Sequence, residues 1–199
     1  MKKALVSLGI GFSVLIFSGC MGDKQPQKQE TFACSIDGAK APEWVCSPTD
    51  MKGGISALGS AQPNDAHDIQ FQREEAIAAA RDALARRISV KVKNMFKQFK
   101  STTGAGDDQT FDKATESVSK QVASQVLNGS KLLKTWISPK GTMFVLVGLP
   151  DQTQLKQNVK NAVNSSFRND NALYQKFLSK KAQEELDEAI EKEFGGAGN

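Results

Sequence analysis

Histidine is nearly missing from this chain of 199 residues: there is one, His67. A lone imidazole argues against a histidine-based metal or catalytic site, and His67 reads as a surface residue beside a helix start. No G-x-S-x-G, H-E-x-x-H or phosphate-binding glycine loop occurs, and Ser60 and Ser89 have no partner base in the sequence. No pair of carboxylates stands out from the general surface charge. The expectation is a non-enzymatic protein without cofactor or metal. One charge sign does not dominate either. Twenty-six Lys and Arg face 22 Asp and Glu, for a net charge of +4, which gives no argument for nucleic-acid binding. Nor is there an apolar run of the roughly 20 residues a spanning helix needs.

The longest apolar run is Ala4 to Phe17, fourteen residues interrupted only by Gly and Ser, behind Lys2 and Lys3. A short positive region followed by such a run matches a signal peptide. Ser18 and Gly19 lead directly into Cys20, as in the lipobox of bacterial lipoproteins, with Phe17 where Leu is usual. Residues 1–19 are therefore expected to be a signal peptide, and Cys20 the lipid attachment site. The small residues admit the peptidase, and the sulfur takes the diacylglycerol. Two or more acyl chains anchor stably, so the partner of this end of the chain is a membrane. Met21, rather than Asp, follows the cysteine. By resemblance to envelope lipoproteins the expected location is the outer membrane, with the body facing the periplasm or the cell surface. Loss of Lys2 and Lys3 lowers the net charge of the mature chain to +2.

With Cys20 lipidated, two cysteines remain among the chain's three: Cys34 and Cys46. An even pair outside the cytosol points to a structural disulfide; two buried free thiols are the alternative. The C-x₁₁-C spacing fits neither a zinc site nor a C-x-x-C redox motif. A disulfide here would pin the segment carrying Trp44.

Residues 20–31 read as the lipidated terminus and a polar leash, whose eleven residues after Cys20 reach at most roughly 35–40 Å. Residues 32–50 read as an irregular stapled segment. Ile55 to Ala61 is a strand candidate. Apolar residues at Ile77, Ala80, Leu84, Ile88, Val92, Met95 and Phe99 fall three and four apart, one stripe on a long helix from about Asp68 to Lys100. Such a helix either forms a spine or breaks near Ser89–Val92. A second stripe, Phe111 to Val126, stops at Asn128-Gly129. Residues 130–138 and 142–149, joined by Pro139-Lys140-Gly141, make the clearest hairpin. A third helix follows Asp151, and a last one begins near Asn171. The tail GGAGN reads as disordered. The expected fold class is α+β. A long helix packs on a small three-stranded antiparallel sheet in the order strand-helix-helix-strand-strand, with appended C-terminal helices. Three strands leave two edges, to be covered by the C-terminal helices or by neighbouring subunits.

Pro42-Glu43-Trp44-Val45, Gly59-Ser60-Ala61 and the helix EAIAAARDALARRISVKV (Glu75–Val92), in this order behind a lipobox, resemble the lipoprotein-20 family of bacterial outer-membrane lipoproteins. The resemblance covers roughly residues 42–150. That family includes a lipoprotein of the flagellar basal disc. The resemblance implies a dodecin-like sheet curved around the helix. The expected domain is then 32–165, with 166–199 as C-terminal helix and tail.

Two surfaces qualify as interface. Arg81, Arg86, Arg87 and Lys91 belong to a basic run on the long helix, and Glu184, Glu185 and Glu188 to an acidic run on the last one. A solvated helix face is the plain reading of such runs. The other is contact between the two, within or between subunits of a homo-oligomer. Two functions follow. One is a structural or assembly role in the envelope, with an envelope or flagellar protein as partner. The other is a binding module for a small hydrophobic or envelope ligand in a groove between helix and sheet.

Overall fold

The computed structural model describes residues 34–48, 53–104, 108–169, 174–175 and 177–195. The signal peptide, Cys20, the leash and the last four residues of the tail lie outside them. In chain order the elements are β1 (Ser35–Ile36), β2 (Ala39–Lys40), α1 (Glu43–Cys46), β3 (Ile55–Ala61), α2 (Ile69–Thr103) and α3 (Asp108–Gly129). They continue with β4 (Lys131–Ile137), β5 (Met143–Leu149), α4 (Gln152–Arg168) and α5 (Lys180–Phe194).

α2 starts where Asp68 accepts hydrogen bonds from the backbone N–H of Gln70 and Phe71, at 2.9 and 3.0 Å. It runs unbroken for 35 residues, about 50 Å. It does not break near Ser89–Val92 because the apolar stripe continues there: Ile88 and Val92 are both fully buried. The buried positions from Gln72 to Val92 recur every four residues. On a helix turning 100° per residue, each such step advances about 40°, so the buried face winds around α2. Ala76 and Ala80 accordingly cluster with Met143, Val145 and Val147 of the sheet. Leu84 to Phe99 cluster with α3, α4 and α5.

The sheet order is β3-β5-β4, antiparallel throughout, with Ile55 opposite Leu149 and Trp136 opposite Phe144. β5 is the middle strand and nearly all buried, which is why TMFVLVGL lacks alternation. α2 covers one of its faces, and α1 also packs on it. At Gly59 of β3, α2 comes so close that an added Cβ would stand under 3.0 Å from backbone atoms of Ala76 and Ala80. Gln72, a polar member of the buried stripe, donates to the carbonyls of Ala61 (3.0 Å) and Gly141 (2.7 Å). It ties the helix start to the far end of the sheet. Both contacts are at least partly buried, where an unpaired backbone acceptor is costly.

The stapled segment is less irregular than its sequence implied. Asp37 and Gly38, with φ of 54° and 81°, form the two-residue turn of a hairpin between β1 and β2. Asp-Gly is a favoured pair for that turn, but strands of two residues show no periodicity. Cys34 and Cys46 are joined in a disulfide with Cα atoms 6.0 Å apart, and Val45 beside it is buried.

Tyr174, Gln175 and Phe177 are already helical, and α5 follows from Lys180, capped by Ser179. The expected division at residue 165 falls inside α4. Phe167, Phe177, Leu186, Ile190 and Phe194 share one core with α2 and α3. The ring centroids of Phe167 lie 5.9, 6.1 and 5.2 Å from those of Phe96, Phe99 and Phe177. The C-terminal helices therefore complete the helical layer instead of running along a strand edge. β4 is mostly exposed. Lys131, Lys134 and an irregularity in the ladder between Leu132 and Lys134 mark this edge, features that blunt strand edges in general.

Candidate functional site

Beside the buried stripe of α2 lies a second face at three- and four-residue spacing: Ala83, Arg86, Arg87, Val90, Lys91 and Asn94. With Ala57 and Leu58 of β3, Pro48 and Glu193, these residues line an open cleft of about 650 Å³. The cleft joins three of the four basic residues expected at an interface. Its wall is also apolar: Val90 is 57% exposed, unusual for a valine in mid-helix.

Two of the cations are held in place. Arg87 donates from Nη1 to the carbonyl of Ser56, at 2.7 Å. Ser56 stands on edge strand β3, where a carbonyl without a strand neighbour needs another donor. Lys91 donates from Nζ to the carbonyl of Glu193 at 2.6 Å and sits 5.9 Å above the Phe194 ring. That carbonyl is in the last turn of α5, where helix carbonyls lack partners and the dipole favours a cation. Arg87→Ala should cost about 1.5–3 kcal/mol, the range for a hydrogen bond to a charged group. Urea unfolding would check it.

Arg86 is exposed in the cleft, and Arg81 is exposed outside it. α5 does pack on α2, but through Ala182, Leu186, Ala189, Ile190 and Phe194. Two of its carboxylates turn to α4: Lys156 meets Glu191 at 2.9 Å, and Lys160 meets Asp187 at 2.7 Å. Glu184 pairs with Lys180 one turn earlier, at 3.6 Å. Among the described residues Glu185 and Glu188 have no ion-pair partner, and neither do Arg81 and Arg86. The acidic and basic runs thus sit on adjoining helices without neutralising each other. The lysines of α4 were not part of the sequence reading, since nothing local links Lys156 and Lys160 to residues about 30 positions later.

Among the described residues no group of three or more His, Cys, Asp and Glu could hold a metal. His67 is exposed, in a left-handed turn (φ 51°) before α2. Among the described residues the hydroxyls of Ser56 and Ser119 are buried without a hydrogen-bond partner. On the far side of α2, the Lys120 ammonium hydrogen-bonds Glu116 at 2.6 Å and holds its carboxyl below the usual value.

A family model described as LPP20 lipoprotein matches residues 42–150. The match begins just before α1 and ends just after β5, so it takes in the whole three-stranded sheet with α2 and α3. Among curated proteins none matches at a significant level.

Proposed function

Because the chain belongs to the LPP20 lipoprotein family, a family of membrane-anchored bacterial lipoproteins, we propose that it is an assembly protein of the outer membrane. Held there by lipid at Cys20, it forms homo-oligomers that build a structure of the envelope, the flagellar base being the setting the family resemblance favours. The repeating unit is the strand-helix-helix-strand-strand core, in the dodecin-like arrangement. Nothing in this reading calls for catalysis.

One observation carries it: Arg86 in the cleft and Glu188 on α5 are opposite charges on different surfaces, each without an ion-pair partner among the described residues. The cleft of one copy can take the acidic helix of the next. A contact between two different patches is heterologous and, if the rotation closes, makes rings. Its exposed charges should weaken with salt, while Val90 supplies apolar contact.

The test is light scattering on the full chain in non-ionic detergent at low salt. Arg86→Glu and Glu188→Lys should each reduce the assembly to monomers, and the double variant should restore it by exchanging the charges. Single variants that keep the wild-type mass would overturn the proposal.

A further inference from the structure

α2 and α3 enclose a second groove, of about 730 Å³, within the 300–1,000 Å³ typical of small-molecule sites. Lys93, Lys97 and Lys100 follow one another at i, i+4 and i+7 along one wall, so they share one helix face. Asp112, Thr115, Glu116, Ser119 and Lys120 line the opposite wall. At the base lie Phe96 and Phe111, edge to face with centroids 6.0 Å apart, both buried. Lys100 stands 5.6 Å over the Phe111 ring.

Three features of this groove point to a ligand. Glu116 is already engaged with Lys120, whereas Lys93 and Lys97 are exposed and have no hydrogen bond or ion pair among the described residues. The groove's other carboxylate, Asp112, pairs with neither among the described residues, so the two neighbouring ammonium groups repel each other, and an anion between them removes that cost. Ser119, 8% exposed, is the second feature: its hydroxyl has no hydrogen-bond partner among the described residues. Buried hydroxyls are nearly always bonded, and a helical serine has the carbonyl four residues back within reach. Thr115, one turn earlier, uses that option, donating to Phe111 O at 2.7 Å; Ser119 does not. The third is composition. The cations are all lysines, point charges that suit a phosphate approached from any angle rather than the fixed fork by which arginine holds a carboxylate.

We propose that the groove binds a phosphate-bearing amphiphile. The phosphate sits between Lys93 and Lys97, the apolar part lies against Phe96 and Phe111, and the Ser119 hydroxyl bonds the polar linkage between them. This site is independent of the assembly contact, which uses Arg86 and Glu188 on other faces.

The full chain in non-ionic detergent should be titrated with dihexanoyl phosphatidylglycerol, with dihexanoylglycerol and with inorganic phosphate, and the bound species weighed by native mass spectrometry. One phosphatidylglycerol per chain is expected, bound at least tenfold more tightly than either dihexanoylglycerol or phosphate. Lys93→Glu with Lys97→Glu should lower that affinity at least tenfold with an unchanged circular-dichroism melt, since both residues are exposed. Ser119→Ala should lower it severalfold. Equal binding of inorganic phosphate would make this a free-anion site and overturn the amphiphile. Equal binding of dihexanoylglycerol would overturn the phosphate, and unchanged affinity in the double lysine variant would overturn the site.

Discussion

Gly59→Val is expected to leave no folded domain at 37 °C. A Cβ at residue 59 would lie under 3.0 Å from Ala76 O, Ala80 N and Ala80 Cα. All three are backbone atoms, so no rotamer change relieves the contact; α2 has to lift from β3. Ala76 and Ala80 are fully buried there, in one cluster with Met143, Val145 and Val147, so lifting the helix opens that cluster as well. Overpacking a core costs about 1–3 kcal/mol when side chains can yield, and more when they cannot. Here the loss should exceed about 3 kcal/mol out of a total of about 5–15. Two controls sharpen the test. Ala80→Gly should not rescue Gly59→Ala, because the clash is with the backbone and not with the Ala80 methyl. Gly104→Ala, with open space around its Cβ, should cost only about 1–2 kcal/mol from its left-handed φ. A Gly59→Val protein that melts within about 5 °C of wild type would mean that helix and sheet are not in close contact.

The second large effect is expected from Cys34→Ser with Cys46→Ser. The disulfide closes a separation of 12 residues, which the chain-entropy treatment values at about 3 kcal/mol. For a chain of this size that is about 6–12 °C in Tm. What the crosslink holds cannot hold itself. Two-residue strands and a four-residue helix are far below the lengths that are stable alone. Outside the disulfide, the hairpin is tied to the sheet by the Ser138 hydroxyl donating to Asp37 at 2.5 Å and by the longer Lys140–Asp37 pair at 4.0 Å. Amide exchange should therefore quicken first across residues 35–46, while α2 and β5 stay protected until global unfolding. Reduced and oxidised proteins with the same Tm would remove the stapling role.

These two predictions mark where sequence reasoning was strong and where it stopped. The stripe of α2, the hairpin of β4 and β5, and the start of α4 after Asp151 follow from period and turn chemistry, so they were legible. The close approach of Gly59 to Ala76 and Ala80 was not legible, because nothing in either segment names its partner. β1 and β2 were invisible because two residues carry no alternation. Gln72 broke the stripe by polarity, yet only the folded sheet brings it Ala61 and Gly141. The basic run was read as one surface, but a helix has several faces: Arg86 and Arg87 go to a cleft against β3, and Lys93 and Lys97 to a groove against α3. One helix's pattern says which residues share a face. It does not say which element stands opposite, because that depends on contacts distant in sequence.

The bond between Cys34 and Cys46 also decides how the domain bears load. Any tension on the chain ahead of Cys34 passes through the sulfurs to Cys46 and onward to β3. Residues 35–45 are thereby removed from the line of force. Without the crosslink the same pull would peel β1 from β2 one rung at a time, the weakest way to load a hairpin. With it, a tug on the N-terminal chain is first felt at a seven-residue strand, paired along its length with β5.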